Sequence, residues 1–299
     1  MRMTRVVVAG SANMDLVGIA PRLPQPGETV LGTEFLQMPG GKGANQAIAA
    51  ARAGAETVFL GAIGSDAFGV TLKARLGASG VDASRVRIVY GTSGVAVIMV
   101  DTKGENSIIA TPGANAAFTT LTDQELSAVR DADVLVCQLE IPVATVTEAA
   151  IAAHAAGTRV ILNAAPAQTL PRALLDAVDL LVVNEGEAAV ITGRTRDEPR
   201  ALLDHVARAV LTLGSEGAWF VDRDGTDLRV PAYPVETVDS TAAGDAFTGA
   251  LAVAWGEGRP LPDAVRWAAA AGAACVRRLG ASNSLPMRAD IDALYAAAP

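Results

Sequence analysis

Short apolar runs recur along this chain and alternate, through most of it, with stretches of helical periodicity. The runs lie at residues 6–10, 57–62, 134–138, 159–163, 180–183 and 209–213, and the helical patterns at 43–53, 67–79, 143–156, 185–192 and 199–208. A strand that is apolar at every position has no face to offer water. It must be covered on both sides, and helices that alternate with such strands supply the cover. The expected fold class is therefore α/β, with a mostly parallel sheet and helices on both faces. A chain of 299 residues fits one such domain, spanning 1–299, with room for a small lobe.

Two stretches break the rhythm. Residues 14–39 and 92–111 carry few helix signals, with β-rich runs at 29–38 and 94–100 and a turn, Asp101-Thr102-Lys103-Gly104, leading to 106–110. A small sheet of this kind cannot bury both of its faces alone. It is expected to cover a ligand site or to pack on another copy of itself.

Several function classes are disfavoured. The net charge of −8, with no block of Lys or Arg, argues against nucleic acid and anionic membranes as partners. No apolar run is long enough for a spanning helix, and 6–9 is too short for a signal-peptide core. Cys137 and Cys275, isolated in apolar surroundings, suggest buried thiols in a reducing, cytoplasmic setting. His154 and His205 lack metal-ligand partners at helical spacing and read as surface residues. The glycines after the first strand do not form G-x-G-x-x-G, and Lys42 lacks the Ser or Thr that a P-loop requires.

Two segments carry chemistry. Asp239-Ser240-Thr241-Ala242-Ala243-Gly244-Asp245 follows a strand-like run at 233–238 and opens an apolar helical stretch at 246–254. Small residues ahead of a helix leave N–H groups free at the positive end of its dipole, a site for phosphate or a developing anion. An aspartate there can accept a proton from a nucleophile. The plainer reading makes Gly244 a tight turn and Asp245 a helix-start carboxylate. The second segment, Gly40-Gly41-Lys42-Gly43-Ala44-Asn45-Gln46-Ala47, places a diglycine, a cation and an amide at a helix start, where a ligand can approach the backbone.

These two motifs, in this order and with Asn13-Met14-Asp15 upstream, resemble the ribokinase branch of the PfkB carbohydrate kinase family, over roughly residues 6–294. The resemblance implies a doubly wound α/β domain with a small β-sheet lid formed at about 14–39 and 92–111, often shared in a homodimer. It implies ATP-dependent transfer of a phosphoryl group to the primary hydroxyl of ribose, giving ribose 5-phosphate. Kinases for deoxyribose, another sugar or a nucleoside, and a silent sugar-binding regulator, remain alternatives.

By the same resemblance, Asn13, Asp15, Gly41, Lys42, Asn45 and Glu140 match sugar-binding positions, and Ala96 and Ile98 would supply apolar lid contacts. Asp245 matches the catalytic base, with Ala242, Ala243 and Gly244 in the anion-hole loop and the N–H groups of 243–245 forming the hole. Asn184 and Glu187 match an Asn-x-x-Glu motif acting on Mg²⁺ through water. Thr212, Gly214, Ser215 and Gly217 match the nucleotide loop, where the plainer reading is a β-turn. Asp239, Thr241, Cys275, Arg278, Gly280 and Ser284 match a potassium site, mostly through backbone carbonyls. Two departures stand out: Ala242 replaces a glycine of the wider family, and the run 268–271 offers only apolar contact near the adenine position. Ala110, at a lid strand end, suggests a roomier sugar pocket.

Overall fold

A computed structural model of the chain describes residues 2–194 and 198–297. In chain order, β1 (Arg5–Ala9), β2 (Asn13–Ala20) and β3 (Glu34–Gly40) lead into α1 (Lys42–Arg52). Then come β4 (Glu56–Leu60), β5 (Ala62–Gly64), α2 (Ala67–Ala78), β6 (Val81–Asp82), β7 (Arg87–Val89), β8 (Gly94–Asp101) and β9 (Asn106–Thr111). The next units are α3 (Asp123–Arg130), β10 (Val134–Cys137), α4 (Val143–Ala156), β11 (Arg159–Asn163), α5 (Arg172–Ala177), β12 (Leu180–Asn184) and α6 (Glu185–Thr192). The last are β13 (Arg208–Thr212), β14 (Ala218–Asp222), β15 (Asp227–Val230), α7 (Ala243–Gly256), α8 (Leu261–Cys275), α9 (Ala281–Ser284) and α10 (Arg288–Ala296).

The main sheet runs β15-β14-β13-β12-β11-β10-β1-β4-β6. It is parallel from β13 through β6, and β14 and β15 extend it antiparallel. Alternate strand residues feed two cores. Val6, Val8, Val136 and Ile161 pack with Ile48 of α1, Leu251 of α7 and Trp267 of α8. Val7, Leu135, Cys137 and Leu162 pack on the other face with Val146 of α4, Val129 of α3 and Leu174 of α5. Helices thus cover both faces, as continuously apolar strands require. Cys137 and Cys275 are both buried free thiols. His154 is exposed and His205 partly so.

A second sheet, ordered β3-β2-β8-β9, stands at the carboxyl ends of the main strands. Its parallel pairing sets Asp15 beside Ala96 and Val17 beside Ile98, so these four side chains share one face. Phe35, Val97, Ile108 and Ile109 are exposed on it.

Several expectations change. The strand expected across 29–38 begins only at Glu34, because Pro24, Pro26 and Gly27 favour a turn, closed by the Glu28 N–H to Gln25 O bond. Residues 233–238 form no strand. Pro231 and Pro234 lack the N–H a ladder needs, and the N–H groups of Val238 and Asp239 instead bond Val276 O. The helix expected over 199–208 is a 3-10 turn, Pro199–Asp204, because pairing with Asp222 claims Arg208 for β13. The β14–β15 hairpin was not anticipated.

Candidate active site

The order in which the chain adds strands to the main sheet reverses between β1 and β10, and α/β sheets form their ligand crevice at the carboxyl ends of strands flanking such a point. Polar residues follow those strand ends: Ser11 after β1, Gln138 and Glu140 after β10, Asn163 closing β11, Asn184 closing β12 and Thr212 closing β13.

Helix α1 enters the crevice with its first turn. Gly41, at φ 90°, takes a left-handed conformation, and a Cβ there would lie 2.6 Å from the Asn13 nitrogen. A Cβ on Gly43 would lie 2.5 Å from the Ser11 nitrogen. Only glycine permits this approach. Glu140 Oε2 accepts from the Lys42 N–H at 3.1 Å, from Ser11 Oγ at 2.5 Å and from Asn13 Nδ2 at 3.4 Å. Asn115 Nδ2 donates to Asn13 Oδ1 at 2.7 Å, which leaves the Asn13 amide facing Glu140 as a donor.

Helix α7 comes in from the same core as α1. It crosses α1 closely at Gly249, where a Cβ would lie 2.7 Å from Gln46 O and 2.6 Å from Ala49 Cβ. That crossing brings Asp245 to Asn45 and Gln46. Asn45 Nδ2 donates to Asp245 Oδ2 at 3.0 Å, and Gln46 Nε2 donates to Asp245 Oδ1 at 2.9 Å. Asn45 Oδ1 is buried without a partner among the described residues. The expected turn glycine, Gly244, is instead the second helical residue. The left-handed residue is Ala242, at φ 63°, ψ 8°, a conformation costing an alanine about 1 kcal/mol.

The anion-hole expectation is corrected in one respect. The Ala243 N–H already donates to Ser240 O at 3.2 Å. Among the described residues, the N–H groups of Gly244 and Asp245 have no protein acceptor, as befits a helix start. These two are the free donors.

Electrostatics set this region apart. Asp15 is pushed up to about 7, by burial first and then by the charges of Glu140 and Asp245, against the opposing pull of Lys42. Burial likewise raises Asp245 to about 6, although Lys42, Gln46 and Asn45 favour its charged form. Burial alone would lower Lys42, but Asp245, Glu140, Glu187 and Asp15 together hold it above its ordinary value. Three carboxylates around one ammonium need more donors than the protein supplies, and hydroxyl groups of a ligand fit that need.

The nucleotide-side candidates are locally satisfied. Asn184 and Glu187 form a reciprocal capping box: Asn184 Oδ1 accepts from the Glu187 N–H at 2.8 Å, and Glu187 Oε2 from the Asn184 N–H at 2.8 Å. The plainer reading of this pair is therefore real, and among the described residues Glu187 Oε1 has no hydrogen-bond partner. Residues 214–216 form a 3-10 turn between β13 and β14, with Leu213 N–H on Gly217 O at 2.8 Å. A Cβ on Gly217 would lie 2.0 Å from Val230 O. Thr212, Gly214 and Ser215 thus stand at the same sheet edge as Asn184. The alanines of 268–271 are all buried, and Gly272 and Ala273, which follow them on α8, are half-buried.

The expected cation residues also converge. Asp239 accepts from the Thr241 N–H at 2.9 Å and the Gly280 N–H at 2.8 Å. Cys275 Sγ lies 3.7 Å from Thr241 O and 3.1 Å from Ser284 Oγ. The Arg278 side chain points away to Asp290. Carbonyl, hydroxyl and carboxylate oxygens are a donor set suited to a hard cation. Among the described residues, no cluster of three or more His, Cys, Asp or Glu side chains forms a metal centre. Among the described residues, no helix is long and apolar enough to cross a membrane.

Sequence reasoning missed Gln46 as a site residue, and with it Ser11, Asn115, Gln138 and Asn163. The available signal was a polar side chain at the carboxyl end of an apolar parallel strand, as for Gln138 and Asn163.

Comparison with known proteins finds similarity over nearly the whole chain. The chain is 38% identical over 298 residues to a ribokinase of Haemophilus influenzae, covering 96% of this chain and 97% of that protein. It is 37% identical over 294 residues to a ribokinase of Bacillus subtilis, covering 98% and 99% respectively. The structure of Arabidopsis thaliana ribokinase complexed with ribose and ATP superposes with a TM-score of 0.92 at 35% identity, covering 99% of each chain. The profile described as pfkB family carbohydrate kinase matches residues 3–288, and the chain belongs to that family.

Proposed function

We propose that this protein uses ATP to phosphorylate the primary hydroxyl of ribose, giving ribose 5-phosphate. The observation that carries the reading is Asp245. It is a buried carboxylate at the start of α7, held by two amides, beside free N–H groups and facing the Asp15–Lys42–Glu140 cluster. Whole-length similarity to ribokinases, one of them seen with ribose and ATP, supports the choice of substrates.

In this reading Asp15, Asn13, Asn45, Lys42, Glu140 and the Gly41 backbone hold the sugar hydroxyls. Asn45 Oδ1 is an acceptor awaiting one of them. Ala96 and Ile98, on the Asp15 face of the small sheet, cover the ring as a lid. Asp245 takes the proton as the sugar oxygen attacks the γ-phosphoryl group, a role worth ~10²–10⁴ in rate. The Gly244 and Asp245 N–H groups meet the charge on the transferring group, supported by the turn through Ala242 and Ala243. Thr212, Gly214, Ser215 and Gly217 flank the nucleotide.

Bound Mg²⁺ would neutralise phosphate charge, with the free oxygen of Glu187, beside Asn184, reaching its water shell. The oxygens at Asp239, Thr241 and Ser284, with the backbone near Cys275, Arg278 and Gly280, would hold K⁺ and stiffen the loop before α7. The exposed Phe35, Val97, Ile108 and Ile109 support a homodimer joined through the lid. The protein would work as a cytoplasmic enzyme whose domain spans 1–299.

The test is ADP release in Mg²⁺-ATP with ribose, deoxyribose, fructose and nucleosides, with and without potassium. Ribose-dependent turnover that rises with potassium is expected. Turnover only on another substrate would keep the kinase and overturn ribose as its acceptor.

A further inference from the structure

The amide that holds Asp245 is itself held. Gln46 is fully buried, and each of its polar atoms is engaged. Its Nε2 donates to Asp245 Oδ1 and to Asn163 Oδ1, both at 2.9 Å, while its Oε1 accepts from Gln138 Nε2 at 2.6 Å. Rotating this amide by half a turn would set Oε1 against the carboxylate and Nε2 against the Gln138 donor, two repulsions in a dry interior.

The two partners are pinned in turn. Asn163 Nδ2 donates to Val182 O at 3.2 Å, which leaves its Oδ1 as the acceptor facing Gln46. Gln138 is fully buried just past the end of β10. Its Oε1 has no hydrogen-bond partner among the described residues and packs on Gly10, where an added Cβ would lie 2.0 Å away. A fully buried amide that leaves its own oxygen unpaired while donating to Gln46 is costly unless that donation matters.

Resting on the reading of Asp245 as the base, we propose that Gln138 and Asn163 are positioning residues for the reaction. They fix the Gln46 amide so that it can only donate to Asp245, and so hold that carboxylate charged and aimed at the sugar hydroxyl. Neither residue needs to touch substrate. The other ionisable groups facing Asp245 are Lys42, which favours its charge, Asp15 and Glu140, which oppose it, and the buried Cys275 thiol. None of these four is hydrogen-bonded to Gln138 among the described residues, so the relay can be tested alone.

The experiment compares kcat against pH for the parent, Gln138→Met and Asn163→Ala, with Asp245→Asn as reference. It is paired with NMR titration of the Asp245 carboxyl carbon in the unliganded proteins. Gln138→Met keeps length and loses the donor. With the lock gone, Gln46 can turn its oxygen to the carboxylate and disfavour the charge. The acid limb of kcat should move up by about one pH unit, with roughly tenfold lower kcat on that limb and KM for the sugar within about twofold. The carboxyl titration should move the same way, and Asn163→Ala should give a smaller shift in the same sense. Should Gln138→Met not fold, Asn163→Ala decides. An unmoved acid limb and an unmoved carboxyl titration in the folded variants would overturn the proposal, even if kcat fell. Retained turnover in Asp245→Asn would instead overturn the base on which it rests.

Discussion

The two halves of the crevice are built on opposite plans. On the sugar side, α1 and α7 bring together residues some two hundred positions apart, as in the Asn45–Asp245 and Gln46–Asp245 bonds. Carboxylates are crowded there, and Asp15 and Asp245 are held above their ordinary range. On the nucleotide side, the Asn184–Glu187 capping box and the turn at 214–216 close on themselves within a few residues. The first half stores unfavourable electrostatics that a polyhydroxyl ligand can relieve. The second is stable as it stands and lends its spare oxygens and N–H groups. Function is concentrated where folding is least favourable, the usual trade between stability and activity.

Asp15→Asn should produce the larger effect. It removes an acceptor for the sugar hydroxyls, so KM for the sugar should rise about 10–100-fold, from roughly 1–3 kcal/mol of lost pairing. Stability should move the opposite way. The folded-state value of about 7 lies above the ordinary 3.8, so the native protein binds the extra proton between those values. Stability of the parent therefore falls as pH rises through that window, and the neutral variant escapes the loss. Thermal unfolding of Asp15→Asn without ligand should occur several degrees higher than the parent's at pH 8, with the gap closing near pH 4. Equal melting temperatures at pH 8 would remove the claimed contrast.

Glu187→Gln should act more weakly and on the other side. The capping box keeps an acceptor at that position, so the melting temperature should change by no more than a few degrees. The Mg²⁺ concentration for half-maximal turnover should rise, with KM for the sugar unchanged. A raised sugar KM in this variant would join the two halves that the geometry separates.

On the nucleotide side the local helix start was legible in sequence. Asn184 through Glu187 is a local helix-start pattern, and α6 begins at Glu185 as that pattern dictates. The parallel strands were legible for the same reason, because an apolar run records its own burial. The helix at 143–156 was readable from its length and the Gly157 stop. The β14–β15 hairpin was hidden because charged and apolar residues mix along Asp227–Val230, an edge strand half open to solvent. The left-handed turn at Ala242 could not be read from an alanine, which ordinarily avoids it. Gln138 and Asn163 looked like strand ends, and their link to Asp245 exists only once α1 crosses α7 at Gly249.

The central claim is that Asp245 is the base of a sugar kinase. Its most direct test is steady-state turnover of Asp245→Asn at pH 8, alongside ribose binding by calorimetry. Asparagine keeps the shape, but its single oxygen can accept from only one of the Asn45 and Gln46 amides, and its NH2 group faces the other. The expected result is ribose affinity within about tenfold of the parent and a kcat ~10²–10⁴-fold lower at pH 8. Parent-like turnover with intact binding would contradict the claim and send the search for the base elsewhere in the cluster, first to Asp15.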